Sequence, residues 1–173
     1  PVYGVERFIG RFAESVLSQS YPHIQFVFVD DGTKDSSIDI LNELIDSRFP
    51  HLRERVVIVH KQNAGLPAAR QTGMEYVTGD YVWHVDSDDW IEKDTCEKLY
   101  YHSINLNSDL VLFDAIRHLP DNQSWDLIHF DEDKTLHDFS SFSFNYEFVK
   151  DKVLNAYFGI IWSKFYKSSF IFE

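Results

Sequence analysis

Two short apolar runs that each end abruptly in carboxylates constrain this chain more than any other feature. Residues 24–29 lead straight into Asp30-Asp31-Gly32-Thr33, and residues 81–85 lead into Asp86-Ser87-Asp88-Asp89. Both runs are short and rich in β-formers, so both predict strands. Helical patterns lie between them. Val5, Phe8, Ile9, Phe12, Val16 and Leu17 recur at helical spacing until Pro22 closes the segment. Residues 36–48 place Ile38, Leu41, Leu44 and Ile45 on one face, with Asp35 or Ser36 available as the N-cap. Residues 56–59 read as a buried strand. Pro67 and Gly79 bracket a third helix, residues 95–104 form a fourth, and residues 110–113 form another strand.

Strands alternating with helices predict an α/β fold with a mostly parallel sheet flanked by helices on both faces. Ligands of such sheets collect at the carboxyl ends of the strands. Both acidic clusters follow a strand at once, so both are expected on that rim. From about Arg117 the pattern changes. A turn is expected at residues 121–124, a short strand at 125–130, a solvated loop at 131–134 and a helix start within 144–154. Residues 159–166 are apolar, with Lys164 as a basic interruption. The expected division is therefore residues 1–116 as one part and residues 117–173 as a second, partial region. No internal repeat is visible.

Charge narrows the partners. The 173 residues carry 16 Lys plus Arg against 28 Asp plus Glu, a formal net charge of −12. That balance argues against nucleic acid, which needs a basic footprint, and against unaided binding to anionic lipid. A phosphorylated ligand would need a cation to mediate. Cys96 is the single cysteine, which excludes an internal disulfide and favours a reducing compartment. It falls on a helical stretch and is expected to pack rather than react. No apolar run approaches the ~20 residues of a membrane span.

Three carboxylates among residues 86–89 repel one another unless a cation joins them. Carboxylate and water oxygens suit Mg²⁺ or Mn²⁺, which can bridge protein to a diphosphate. The plainer alternative is a polar turn with solvated side chains. In the first cluster, adjacent strand residues point to opposite faces, so Asp30 and Asp31 need different partners. Here an Asp on the rim can accept from a nucleobase imide or a ribose hydroxyl, or can simply cap the next helix. Between the clusters, Ala64, Gly65, Ala68, Ala69 and Gly73 permit close approach of helix to sheet, and Arg70 is the lone basic residue among them. No dinucleotide-binding, P-loop or zinc-protease pattern is present.

Taken together these segments resemble a bacterial family-two glycosyltransferase. The resemblance rests on Pro1-Val2-Tyr3, Ser15-Val16-Leu17-Ser18-Gln19-Ser20-Tyr21, and Val29-Asp30-Asp31-Gly32-Thr33-Lys34-Asp35-Ser36. It continues through Asn63-Ala64-Gly65, Ala69-Arg70, Gly73, Thr78-Gly79-Asp80-Tyr81, Val85 to Ile91, and Trp162-Ser163-Lys164-Phe165-Tyr166. It implies a GT-A fold, with residues 1–116 as the donor-binding part and residues 117–173 as a partial acceptor-side region. It also implies a nucleoside diphosphate sugar donor, UDP-linked in many members, a glycan or lipid-linked acceptor, and Mn²⁺ or Mg²⁺. By the same resemblance Asp31 receives the base with Tyr3 stacking nearby, and Pro1 and Arg70 lie on the donor side. Asp86 approaches the ribose, while Asp88 and Asp89 hold the metal. The reaction implied is one inverting displacement, in cell-surface polysaccharide synthesis at the cytoplasmic side, with peripheral membrane association through other segments. Gly4 stands where the family usually has Asn. The family's first strand is expected before Pro1 and its catalytic base beyond Glu173.

Two other readings compete. The run Phe26 to Thr33 superficially resembles the strand of haloacid-dehalogenase phosphatases, but its two aspartates are adjacent instead of two apart. The alternative of another class is a non-catalytic nucleotide-binding or assembly module.

Overall fold

The computed structural model describes residues 1–113, 115–118, 125–128 and 163–172. The elements run α1 (Ile9–Leu17), β1 (Phe26–Asp30), α2 (Ser37–Arg48), a 3-10 turn (Pro50–Arg55), β2 (Val56–His60), α3 (Leu66–Met74), β3 (Tyr81–Trp83), α4 (Thr95–Leu106) and β4 (Leu110–Leu112). They end with β5 (Ala115–His118), β6 (Trp125–Ile128), β7 (Lys164–Lys167) and α5 (Ser168–Phe172).

Helix α1 buries Ile9, Phe12, Ala13, Val16 and Leu17, the i, i+3, i+4, i+7, i+8 stripe of a core-facing helix. Helix α2 contributes Leu41 and Ile45, both fully buried. These side chains pack with Phe26 and Phe28 of β1, Val2 and Leu52 in one core. The opposite face of β1 meets α3. A Cβ on Gly73 would lie 3.3 Å from Val29 Cγ2, so the small residue lets helix and strand touch. Strand β1 is thus covered on both faces, as its unbroken apolar run predicts.

Strands β1 and β2 pair in parallel, from Phe26 opposite Val56 to Asp30 opposite His60. Val2 joins the free edge of β1 through one parallel bridge. Its N–H donates to the Val29 carbonyl at 2.7 Å, and the Asp31 N–H donates to the Val2 carbonyl at 3.1 Å.

The second sheet has the order β3-β7-β4, with β7 antiparallel to both neighbours. Strands β3 and β4 are therefore parallel to each other, and β7 is the antiparallel exception within an α/β architecture. Strand β3 stops at Trp83, two residues earlier than its sequence pattern predicts, where its ladder with β7 ends at Trp83 opposite Phe165. Leu99, Val111 and Phe165 form a smaller core there, and the rings of Tyr81 and Phe165 stack 5.1 Å apart. A cavity of about 340 Å³ separates β1 from β3, lined by Val27, Val29, Gly73, Val82, Trp83 and Cys96 among others.

Strands β5 and β6 form a separate antiparallel pair, with Arg117 opposite Asp126. The expected strand at residues 125–130 is thus present as β6. The turn at 121–124, the loop at 131–134 and the helix start within 144–154 lie outside the described residues. Among the described residues no helix is long and apolar enough to cross a membrane.

Candidate functional site

The site follows the carboxyl ends of β1, β2 and β3. At the end of β1, pleating sends the two adjacent aspartates to different partners, as their alternation predicts. Asp30 accepts from the Thr33 N–H three residues on, at 2.8 Å, and lies 2.9 Å from His60 Nδ1. Asp31 is only 3% exposed. Its Oδ1 accepts from Lys61 Nζ at 2.7 Å and the Ala64 N–H at 3.0 Å, and its Oδ2 accepts from the Gly65 N–H at 2.9 Å. Burial alone would raise this carboxyl. Hydrogen bonds from Lys61, Ala64 and Gly65 outweigh it and hold the group below the usual carboxylate range.

This closure needs Gly32. Its φ is +71°, and a Cβ there would sit 2.9 Å from the Asn63 nitrogen and 3.2 Å from the Lys61 carbonyl. Only glycine lets the 61–65 loop fold over the end of β1 at that distance. The following turn is equally knit. Asp35 accepts from Ser37 Oγ at 2.6 Å, Thr33 Oγ1 at 2.8 Å, the Glu6 N–H at 3.0 Å and the Ser37 N–H at 3.1 Å. Burial works against its charge, but these donors win and lower it to about 2. Asp35, rather than Ser36, therefore satisfies a donor at the start of α2.

The end of β3 is built differently. The Asp89 N–H donates to the Asp86 carbonyl at 3.2 Å, making a tight turn over residues 86–89. Ser87 is buried and its hydroxyl donates to the Pro1 carbonyl at 2.7 Å, which ties the turn to the rim of β1. Asp86 pairs with Arg70 NH2 at 2.5 Å. Arg70 reaches it from α3, and its buried Nε has no hydrogen-bond partner among the described residues. Burial and then the Arg70 charge lower His84 to about 4, so that ring is neutral near pH 7.

Asp88 and Asp89 are exposed. The local burial of its carboxyl, then the charges of Asp88 and Asp86, push Asp89 up to about 6. Among the described residues no three His, Cys, Asp or Glu side chains are gathered as a complete metal-ligand set. Two exposed carboxylates that repel one another do fit a hard divalent ion whose remaining ligands are phosphate and water oxygens.

The predicted residues fall into one row. Pro1 lies among Asp86, Arg70 and Asp31, and Asp89 senses Asp88 and Asp86. Tyr3 follows the Val2 bridge with its ring 54% exposed at the same rim. Cys96 is the opposite case, since burial pushes its thiol up to about 12 and leaves it unreactive.

Sequence reasoning missed Lys61. The signal was available. Asp30 and His60 are register partners, so the first residues after β1 and β2, Asp31 and Lys61, must emerge side by side. It also left Tyr166 of β7 without a neighbour. That hydroxyl senses the Arg70 charge, although burial, the larger influence, raises its pKa. The aligned carboxylate pair of a phosphatase is absent, because Asp30 and Asp31 are committed to separate partners.

Residues 1–168 match the family described as Glycosyl transferase family 2. Glycosyltransferase GlyA of Streptococcus pneumoniae is 39% identical over 112 residues, covering 65% of this chain and 15% of that protein. The putative teichuronic acid biosynthesis glycosyltransferase TuaG of Bacillus subtilis is 36% identical over 99 residues, 57% of this chain and 37% of that protein. The crystal structure of S. aureus TarS 1–349 in complex with UDP has the same fold, with a TM-score of 0.68 and 19% identity over 99% of this chain and 46% of that one. The chain thus spans less than half the length of each.

Proposed function

The chain belongs to glycosyl transferase family 2, and on that premise we propose that it forms the donor-binding part of a glycosyltransferase using a UDP-linked sugar. The transfer is a metal-assisted inverting displacement onto a hydroxyl of a glycan or lipid-linked acceptor, within cell-surface polysaccharide synthesis. The biosynthetic role named for TuaG supports the last point. One observation carries the donor reading. A buried acceptor at Asp31, a half-buried cation at Arg70 and two exposed carboxylates at Asp88 and Asp89 line one rim in that order.

That order suits the parts of a nucleoside diphosphate. Asp31 takes the base end, where Oδ2 accepts one protein N–H and retains capacity for a ligand donor. The exposed Tyr3 ring offers a stacking face beside it. Pro1 and Asp86 flank the ribose, and Arg70 faces the diphosphate while its pair with Asp86 fixes the guanidinium. Asp88 and Asp89 would hold Mn²⁺ or Mg²⁺, which supplies charge neutralisation for the departing phosphate. No residue of the sequence is assigned as the base that takes the acceptor proton. Residues 1–116 are the donor side in this reading.

Isothermal calorimetry with UDP tests it. Affinity should rise at least about tenfold, roughly 1.4 kcal/mol, on replacing EDTA with Mn²⁺. Equal affinity in both would remove the metal from the reading. UDP-sugar binding by the full-length protein without transfer would favour the non-catalytic module.

A further inference from the structure

Resting on the reading that Asp31 meets the nucleobase, we infer that Lys61 is a positioning residue for base recognition, holding Asp31 as an oriented acceptor inside a closed loop. The argument begins with burial. Asp31 is 3% exposed, and a carboxylate removed from water to that degree ordinarily neutralises itself by taking up a proton. A protonated carboxyl presents an O–H and loses acceptor capacity, while an ionised one only accepts. A base imide N–H requires the second form.

Three donors oppose protonation, and only one of them is charged. The Ala64 and Gly65 N–H groups bond Asp31 at 3.0 and 2.9 Å, and Lys61 Nζ lies at 2.7 Å. Charge-assisted hydrogen bonds are roughly twice as strong as neutral ones, so the ammonium is the largest single support. Lys61 is itself held. Its Nζ also donates to the Gln62 carbonyl at 2.9 Å, and its side chain is 19% exposed. The ammonium and the two amides sit on the same five-residue loop that Gly32 allows to close. Lys61 therefore fixes both the charge of Asp31 and the direction of its free lone pair without needing to touch the ligand.

Among the described residues, Lys61 faces Asp31 from the loop after β2 and Pro1 lies nearby on the bridged segment, while Asp30 turns to His60 instead. Arg70 and Asp86 stand beyond Pro1. In the intact protein Asp31 lies below the usual carboxylate range, so it stays ionised from pH 7.5 to pH 5.0. Without the Lys61 ammonium, burial raises it, and the acceptor is lost as pH falls.

Uridine, which lacks phosphates and needs no metal, is the probe. Calorimetry at pH 7.5 and pH 5.0 compares the intact chain with Lys61→Met and Lys61→Arg, each checked for a cooperative melt. The intact chain should change by less than about twofold. Lys61→Met should weaken uridine at least about fivefold more at pH 5.0 than at pH 7.5, because one unit of carboxyl pKa is about a tenfold change in its ionisation. Lys61→Arg should restore the flat profile. Should Lys61→Met fail to fold, the neutral Lys61→Gln carries the same expectation. A flat profile in the neutral variant overturns the proposal, even if its affinity is uniformly lower. Unchanged uridine affinity in Asp31→Asn would instead overturn the base reading on which the proposal rests.

Discussion

The two acidic clusters follow strands of two different sheets, yet they are opposite kinds of site. At the end of β1 every carboxylate has protein donors, and Asp31 and Asp35 are lowered by them. At the end of β3 Asp86 is paired with Arg70, while Asp88 and Asp89 are exposed and Asp89 is raised. The first cluster spends its charge on shaping a loop, and the second leaves Asp88 and Asp89 exposed. Local composition does not distinguish them. The difference arises because β1 lies beside β2, whose rim supplies Lys61 and the amides of Ala64 and Gly65. The end of β3 receives one cation, from α3.

The largest effect that would break this contrast is on stability. Asp31→Ala should destabilise the fold by roughly 3–5 kcal/mol, because it strands the Lys61 ammonium and two backbone N–H groups under a closed loop. Asp88→Ala should change stability by no more than about 0.5 kcal/mol in the absence of metal, as expected for an exposed residue. Urea unfolding followed by tryptophan fluorescence measures both. Similar losses for the two variants would mean that the clusters are not different in kind.

Much of the site's position was legible in the sequence, because strand ends and carboxylates are local features. The pairing of Asp30 and Asp31 with separate partners followed from pleat alone. The helix stripes of α1 and α2 were equally readable, since burial imposes a 3.6-residue period. What escaped was long-range. Nothing near Lys164–Lys167 announces that it slides between β3 and β4, because strand partners are chosen by tertiary packing and not by local propensity. The Arg70 to Asp86 pair joins different elements, so spacing gave a candidate and no partner. Asp35 looked like one of two equal caps. Its advantage came mainly from Ser37 and Thr33, with the distant Glu6 N–H adding a further donor.

An intermediate effect sharpens the contrast in binding. Asp88→Asn should remove the metal-dependent part of UDP affinity, a loss of at least about tenfold in Mn²⁺ with none in EDTA. The substitution keeps size and shape while deleting one charge and replacing one acceptor oxygen with a donor NH2. Calorimetry in both buffers separates the two contributions. A loss of the same size in EDTA would show that Asp88 touches the nucleotide directly.

The smallest expected effect concerns what holds the open cluster in place. Trp90 follows Asp89 at once, and the Arg11 guanidinium lies 3.3 Å from its ring centroid. Helix α1 and the residues just after it then grip the next residues through polar contacts. The Ile91 N–H donates to Ser15 Oγ at 3.2 Å, Gln19 Nε2 donates to the Glu92 carbonyl at 2.7 Å, and the Ser20 N–H donates to the Lys93 carbonyl at 2.9 Å. Arg11 is exposed, and an exposed cation–π contact is worth about 0.5–1 kcal/mol. Arg11→Met keeps the aliphatic stem over the ring and removes the charge. It should therefore lower stability by no more than about 1 kcal/mol and leave the Mn²⁺ dependence of UDP binding within about twofold, about 0.4 kcal/mol. The contacts from Ser15, Gln19 and Ser20 are enough to hold the segment. Thermal melts and paired titrations of the variant measure both quantities. If Mn²⁺ dependence collapsed while stability held, the orientation of Trp90 would govern the cluster. The contrast would then rest on how the 86–89 turn is aimed rather than on carboxylates left without protein partners.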